Sequence, residues 1–315
     1  MSEILWGVDL GGTKIEGVVL RHDPTEWRSK SLATVPGQQD TIARIRIATE
    51  AGSGYEHIIQ RIAELVQQLS TRLDGKRPTS IGIGTPGALR PDGTMKNCNT
   101  TCFNDRSLLR DLEHALECPV HIANDADCFA LAEAHWGAGQ GHKTVFGVIM
   151  GTGVGGGIVV NGRLLNGPNG LTGEWGHTVL DPTGRECYCG NRGCVETYLS
   201  GPALERFHHE TTGRRLSLEE VARQSAFVDE CSATISQMCE WFGRALAHVV
   251  NVLDPSVIVL GGGAGQVPQL KTLGRECLAR SVFGPDFRTP VVGPMLGDSA
   301  GVFGAAILTT ASDTQ

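Results

Sequence analysis

Two spacings of apolar residues alternate along this chain. In one, apolar residues recur every three or four positions, as at Ile58, Ile62 and Leu65, which is typical of an amphipathic helix. This spacing predicts helices at 55–73, 108–116, 128–136, 202–212, 218–224, 228–252 and 301–310. The other spacing is a short apolar run between polar residues or glycines, and it predicts strands at 4–9, 15–20, 28–35, 79–84, 119–123, 144–150, 158–160, 256–260 and 289–292. Strands that alternate with helices predict an α/β protein.

Length and composition indicate a globular protein of two lobes. The chain has 315 residues, more than the ~100–200 of a typical domain. Hydrophobic residues make up 40% and charged residues 19%, which is ordinary for a globular chain. The 42 glycines are the exception, and they predict many tight turns and places where the backbone approaches a ligand.

The charge pattern argues against nucleic acid or an anionic membrane as a partner. The net charge is −7 and no run of Lys or Arg occurs, whereas both partners require clustered basic residues. The chain opens on the strand-like segment 4–9 rather than on a signal peptide, and no apolar run approaches the ~20 residues of a membrane helix. With its ten cysteines interpreted as reduced thiols, we expect a cytoplasmic protein.

A glycine-rich hairpin near the start is a candidate phosphate site. The segment 9–14 joins two predicted strands, so it is neither a Walker loop nor a dinucleotide-binding turn, both of which lead into a helix. Glycine N–H groups can face a phosphate, with hydroxyl and ammonium groups as further donors, and a carboxylate at the strand end could hold hydrated Mg²⁺. The candidates are Asp9, Gly11, Gly12, Thr13 and Lys14. An ordinary tight hairpin explains this segment equally well.

The same hairpin pattern recurs later in the chain. Residues 10–20 can be laid on residues 150–160 without a gap, which adds Thr152 and Gly153 to the candidates. Two such hairpins could hold one polyphosphate, so the recurrence strengthens both. A third glycine cluster contains Gly262 and Gly263, where a predicted strand ends, and it is compatible with adenosine or with a plain turn.

Asn124 and Asp125 lie where a predicted strand ends and a predicted helix begins. The carboxyl ends of strands are where α/β sheets place ligands, and a helix N-terminus favours anions. Helix capping is a common use of both residue types, and on these residues alone it is the favoured interpretation. Asp125 is therefore either a reactive carboxylate or a helix cap.

A dense cluster of metal-ligand residues follows the second hairpin. The residues are His177, Cys187, Cys189 and Cys194, spaced His-x9-Cys-x-Cys-x4-Cys. Three thiolates and an imidazole are a standard closed set for structural Zn²⁺, although four unrelated buried residues are the alternative. Anchoring this cluster would bring Glu174 and Glu196 together, and carboxylates suit the hydroxyls of a sugar. Surface carboxylates are the alternative for these two.

Together these motifs resemble the ROK family of bacterial sugar kinases and repressors. The resemblance rests on residues 9–14, 124–126, 151–157, 173–177 and 187–194. It implies an actin-like ATPase (ribonuclease H-like) α/β fold with two lobes around a cleft. The lobes would be 1–122 and 123–298, the second carrying the zinc loop, with a C-terminal helix at about 299–315 packing back on the first. ATP, Mg²⁺, structural Zn²⁺, a hexose substrate and a homodimer or homotetramer are also implied.

The resemblance assigns roles to individual residues. By analogy with the family, Asp125 is the base that accepts the proton of the sugar's 6-hydroxyl during attack on the γ-phosphoryl group of ATP. The positions that match the sugar site are Gly87, Asn99, Asn124, Asp125, Glu174, His177 and Glu196. The positions that match the ATP site are Asp9, Gly11, Gly12, Thr13, Lys14, Thr152, Gly153, Gly262 and Gly263.

Within the family, residues 96–100, 247–251, 253–255 and 283–285 look closest to the fructokinase (mannofructokinase) branch. We therefore expect phosphorylation of fructose, with mannose or glucose as further substrates. An N-acetylglucosamine or other N-acetylhexosamine kinase is the nearest enzyme alternative. Two positions depart from the expected pattern: Asp127, where the family usually has Asn, and Cys102, where the fructokinase branch favours Trp.

A ROK-type sugar-sensing protein is the non-enzyme alternative. ROK repressors carry a DNA-binding domain before the sugar domain, and a first hairpin at Asp9 leaves no room for one. Asp9 and Asp125 are both present, as catalysis requires, so the enzyme is the favoured interpretation.

Overall fold

The computed structural model describes residues 3–22, 40–90, 92–98 and 100–311. The strands are β1 Glu3–Leu10, β2 Lys14–His22, β3 Thr41–Ala48, β4 Ile81–Thr85, β5 Ala88–Leu89, β6 Met95–Lys96, β7 Val120–Asn124, β8 Thr144–Met150, β9 Val154–Val160, β10 Arg163–Leu164, β11 Val257–Gly261 and β12 Val291–Val292. The α-helices are α1 Tyr55–Arg72, α2 Leu108–Leu116, α3 Asp125–Trp136, α4 Glu196–Leu199, α5 Gly201–Thr212, α6 Leu218–Gln224, α7 Asp229–Leu253, α8 Leu273–Ser281 and α9 Ala300–Ile307. None of the helices in these ranges is both long and apolar enough to cross a membrane.

The chain divides into two compact units. Unit 1 comprises Met1–Gly141, Gly162–Thr172 and Met295–Gln315, and unit 2 comprises His142–Asn161 and Gly173–Pro294. Unit 1 thus extends past residue 122, where the sequence suggested a boundary, because α3 packs against α9 at the C-terminal end of the chain. A Cβ atom on Gly304 of α9 would lie 1.8 Å from the carbonyl oxygen of Cys128 in α3, so the two helix backbones are in direct contact.

Unit 1 is built on a five-stranded sheet with the order β3-β2-β1-β4-β7. β1, β2 and β3 pair antiparallel, whereas β1, β4 and β7 pair parallel. Helix α1 buries the stripe that its spacing predicts, with Ile58, Ile62 and Leu65 all 0% exposed. The parallel strands all end at one edge of the sheet, which places the ends of β1 and β7, with Asp9 and Asn124, at that edge.

Unit 2 repeats this arrangement. Within the unit its strands have the order β9-β8-β11-β12, with β8 and β9 antiparallel and β8, β11 and β12 parallel. The long helix α7 forms much of its core, together with the apolar faces of β8 and β11. An antiparallel hairpin followed by parallel strands is therefore the plan of both units, as the repeated hairpin sequence suggested.

Most predicted elements are present, with informative differences. The strand predicted at 28–35 lies outside the described residues. β3 was missed because the prediction relied on apolar runs, whereas this edge strand alternates apolar and polar residues. β9 begins at Val154 rather than at 158, because Gly155, Gly156 and Gly157 also pair with β8. Helix α8 was also missed, and the glycine and charged residues in its sequence give a weak helical pattern.

A buried carboxylate ties α3 to the segment that leads into α9. Glu133 is 0% exposed. Its Oε1 accepts hydrogen bonds from the backbone N–H groups of Met295 (3.0 Å) and Leu296 (2.9 Å), and its Oε2 accepts from that of Ala138 (2.8 Å). Hydrogen bonds to a charged acceptor are stronger than neutral ones, and a buried donor left without a partner is costly. Glu133 thus satisfies backbone groups from two distant parts of unit 1.

Replacing Glu133 with alanine removes the acceptor of three backbone N–H groups. We expect Glu133→Ala to lower the free energy of unfolding by about 3 kcal/mol or more, at ~1–3 kcal/mol for each buried donor left unpaired. Urea denaturation followed by circular dichroism measures the change. Glu64→Ala is the matched control, since it removes only an exposed pair with Arg61 and should cost at most about 0.5 kcal/mol. Equal losses in the two variants would contradict the role given to Glu133.

Candidate functional site

The first glycine hairpin is braced at its ends and open at its tip. The N–H of Gly11 donates to the carbonyl of Lys14 (3.0 Å), which closes the turn. Thr49, just after β3, braces both ends: its hydroxyl donates to the carbonyl of Gly11 (2.7 Å) and its N–H to that of Thr13 (3.0 Å). Gly12 and Thr13 are exposed, so this tip can present N–H and hydroxyl donors to an anion.

The second hairpin closes one residue earlier than the first. β1 and β2 last pair at Leu10 and Ile15, whereas β8 and β9 last pair at Met150 and Val154. The turn at Gly151 is closed by its N–H, which donates to the carbonyl of Gly153 (2.9 Å). The gapless sequence match therefore identifies equivalent hairpins whose turns differ by one residue.

Two carboxylates of unit 1, Asp9 at the end of β1 and Asp125 just after β7, have raised pKa values. Burial raises the pKa of Asp9 to about 6, and the charges of Asp125 and Glu16 add to this rise. Glu16 is itself buried and paired with Arg44 and Arg46 of β3. Burial also raises the pKa of Asp125, whose side chain still reaches solvent but is surrounded by protein on its other sides. Adjacent carboxylates with raised pKa values favour a bound cation or a reaction that accepts a proton.

Asn124, not Asp125, caps helix α3. The side-chain oxygen of Asn124 accepts from the N–H of Asp127 (2.6 Å), as an N-cap residue does. Asp125 is the first residue of the helix, and its Oδ1 accepts only the short-range bond from the N–H of Ala126 (2.8 Å) among the hydrogen bonds described. Asn124 therefore provides the helix cap, and the carboxylate of Asp125 is not needed for capping.

Gly87 follows β4 in a conformation that a side chain would strain. Its φ is +136°, and a Cβ atom there would lie 2.4 Å from Sγ of Cys98. The glycine therefore lets the chain turn sharply into the short β5–β6 hairpin. Asn99, the other predicted sugar residue of this region, lies outside the described residues.

In unit 2, a 3-10 helix from Trp175 to His177 lies directly on β9. Gly173 and Gly176 allow this, because a Cβ atom on either would lie 2.0 Å from a carbonyl oxygen of β9. The indole N–H of Trp175 donates to the carbonyl of Gly155 (2.8 Å), which fixes the segment further. Glu174 and His177 are consequently held at defined positions.

The four predicted metal ligands converge in unit 2. One ligand atom from each of His177, Cys187, Cys189 and Cys194 lies within 4.8 Å of all the others. Sγ of Cys189 and Sγ of Cys194 are 3.6 Å apart, as are Nδ1 of His177 and Sγ of Cys187. A tetrahedral zinc site with bonds of ~2.3 Å has ligand atoms about 3.7 Å apart. The residues therefore fit a closed metal site.

Glu174, Tyr188 and Glu196 lie close to this cluster. Nε2 of His177 lies 3.9 Å from a carboxylate oxygen of Glu174 and 3.1 Å from the hydroxyl of Tyr188. Glu196 begins α4, and its Oε2 accepts from the N–H of Val154 (2.9 Å), at the second hairpin. Tyr188 was not among the candidates from the sequence, where it is only the residue between two cysteines.

A cavity of about 810 Å³ in unit 2 is lined in part by two of the predicted nucleotide residues. Its lining includes Thr152 and Gly263, together with Glu205 and residues at the start of α6. Gly262 has φ +75°, and a Cβ atom there would lie 2.3 Å from the carbonyl oxygen of Met150, so this turn packs closely on β8. The cavity is large enough for a nucleoside.

The sequence matches the model of the ROK family over residues 5–312. It is 32% identical to the N-acetylgalactosamine kinase AgaK of Shewanella sp. (strain ANA-3), over 96% of both chains. It is also 32% identical to the N-acetyl-D-glucosamine kinase of Histophilus somni (strain 129Pt), over 98% of this chain and 99% of the relative.

The structure resembles a ROK family glucokinase from Streptomyces griseus solved in complex with glucose and AMPPNP. The TM-score is 0.74 at 29% identity, with 97% of this chain and 99% of that one covered. The likeness confirms the predicted actin-like ATPase fold. Because the family match and the relatives both span nearly the whole chain, the protein belongs to the ROK family, and it is a sugar kinase of that family.

Proposed function

We propose that this protein transfers the γ-phosphoryl group of ATP to the 6-hydroxyl of an N-acetylhexosamine, either N-acetylglucosamine or N-acetylgalactosamine. The observation that carries the proposal is the 32% identity to kinases of these two sugars over 96–98% of the chain. ATP as the donor is supported by the ATP analogue bound to the similar glucokinase. This substrate class replaces fructose as our first choice.

The fructose assignment rests on four short stretches, such as 96–100 and 283–285. Short stretches weigh less than similarity over the whole chain, and Cys102 already departs from the fructokinase pattern. Fructose, mannose and glucose therefore remain as test substrates rather than as the proposed ones.

The proposed chemistry assigns one task to each group of residues. Asp125 accepts the proton of the 6-hydroxyl, and its raised pKa brings it nearer to that of an effective base at neutral pH. The exposed N–H groups of the hairpins bind the phosphates, where positioning and charge stabilisation lower the barrier. The carboxylates of Glu174 and Glu196 accept hydrogen bonds from sugar groups, and the cavity beside Gly263 holds the nucleoside.

Two metal ions complete the proposal. Mg²⁺ would be held through Asp9 and would neutralise phosphate charge. Zn²⁺ would be held by His177, Cys187, Cys189 and Cys194 in a closed, structural site. The zinc ligands would orient Glu174 and Glu196 while taking no part in the transfer.

A coupled assay for ADP release tests the substrate class. With ATP and Mg²⁺, we expect kcat/KM for N-acetylglucosamine or N-acetylgalactosamine to exceed that for glucose, mannose and fructose by at least about tenfold, which corresponds to one well-made polar contact. A higher kcat/KM for fructose would restore the fructokinase assignment. Absence of ADP release with every sugar would favour a sugar-sensing protein.

Replacing Asp125 with asparagine removes the proposed base and keeps the shape of the side chain. We expect kcat to fall by at least about 100-fold while the sugar dissociation constant changes little. In the unmodified enzyme, protonation inactivates the base, so kcat/KM should decline on acidification at a higher pH than for an ordinary aspartate. Asp127→Asn is the matched control two residues away. Near-normal turnover in Asp125→Asn would show that the carboxylate is not the base.

Replacing Cys189 with serine removes one of the four proposed zinc ligands. We expect zinc, measured by inductively coupled plasma mass spectrometry, to fall from about one ion per chain to a small fraction of that. The KM for the sugar should rise about tenfold or more, because Glu174 and His177 lose their anchor. Cys118→Ser, in unit 1, should retain the zinc and the KM. A native protein that contains no stoichiometric zinc would refute the site directly.

A further inference from the structure

Tyr188 places a hydroxyl group among the residues proposed to bind the sugar. This hydroxyl lies 3.1 Å from Nε2 of His177, and the two rings meet edge to face with centroids 5.2 Å apart. The side chain is 68% exposed, so a ligand can reach it. Its position is fixed by its neighbours in sequence, since Cys187 and Cys189 on either side both belong to the cluster of four ligands.

The orientation of His177 determines whether the hydroxyl of Tyr188 accepts a hydrogen bond from the imidazole or donates one to it. Nδ1 of His177 faces Sγ of Cys187 at 3.6 Å, inside the cluster, whereas Nε2 faces Tyr188. When Nδ1 uses its lone pair as a ligand, the proton of the neutral ring is on Nε2. The Nε2–H group then donates to the oxygen of Tyr188, since the carboxylate of Glu174 is further away at 3.9 Å. The O–H of Tyr188 remains available to donate to a ligand.

The neighbouring carboxylates have the opposite character. Glu174 and Glu196 can only accept hydrogen bonds when ionised, which suits the O–H and N–H groups of a sugar. A hexose offers hydroxyls, which satisfy carboxylates. The acetamido group of an N-acetylhexosamine also carries a carbonyl oxygen, which requires a donor when water is removed. Tyr188, held in a hydrogen-bonded chain with His177, is an uncharged donor beside these carboxylates.

We propose that Tyr188 is a specificity-determining residue whose hydroxyl donates a hydrogen bond to the acetamido carbonyl of an N-acetylhexosamine. This inference rests on the proposed function, and it concerns the recognition of the substituent at C2. Glucose has a hydroxyl at C2 in place of the acetamido group, so it lacks the carbonyl oxygen to which this donor would bind. Tyr188 therefore favours the N-acetylated sugar by hydrogen bonding and not by ring contact.

The test compares N-acetylglucosamine with glucose on purified, zinc-loaded full-length protein. Isothermal titration calorimetry gives the dissociation constant of each sugar, and the coupled assay gives kcat and KM. In Tyr188→Phe, we expect the dissociation constant of N-acetylglucosamine to rise about fivefold to tenfold, the range for one lost neutral hydrogen bond, and that of glucose to change less than about twofold. The zinc content and kcat should stay unchanged.

Tyr198→Phe is the matched control, since its hydroxyl donates to Asp181 (3.1 Å) and not to His177. It should leave the ratio of the two dissociation constants as in the unmodified protein. Equal weakening of both sugars by Tyr188→Phe, or weakening of neither, would overturn the inference about Tyr188 alone. An unmodified protein that binds neither N-acetylglucosamine nor N-acetylgalactosamine more tightly than glucose would overturn the proposed substrate class and this inference with it.

Discussion

The candidate sugar site depends on a single imidazole whose two nitrogens face different partners. Nδ1 of His177 points into a cluster of three cysteines, and Nε2 points toward Tyr188 and Glu174. With Nδ1 bound to the proposed zinc ion, the ring could not rotate without breaking that bond. Its second nitrogen is therefore directed at a fixed point, and the side chains around that point acquire a fixed order of donors and acceptors.

Glu196 connects this cluster to the second glycine hairpin. Glu196 follows Cys194 by two residues, and its carboxylate accepts the N–H of Val154, where β9 begins. Because Gly173 and Gly176 have no Cβ atom, the segment containing Glu174 and His177 packs directly on the backbone of β9. The metal-ligand cluster, the acidic residues and the hairpin thus form one packed assembly within unit 2. A change in any part of it would shift groups assigned to both sugar and phosphate.

The parts of this site that were predictable from sequence are those whose chemistry requires a fixed spacing. Three cysteines and one histidine within eighteen residues predicted the cluster, whereas a strand end next to a helix start made Asp125 only a candidate, and its role as the base came from the family resemblance. Strand β3 was missed because edge strands bury one face and show no apolar run. The start of β9 was missed because Gly156 must leave space for Phe146 and Trp175, a requirement set by packing far along the chain.

Sugar specificity is harder to predict for a reason of scale. Glucose and N-acetylglucosamine differ in one substituent, and discrimination by one polar contact amounts to ~1–3 kcal/mol. One side chain can supply that, whereas a similar fold is found in a ROK family glucokinase from Streptomyces griseus solved with glucose. Short stretches that resemble one branch, such as 283–285, therefore carry little weight unless they touch the sugar. Tyr188 lies between two cysteines that the cluster needs, so its position is fixed while its identity is free to vary. A residue of that kind can change the preferred sugar without disturbing the scaffold that holds it.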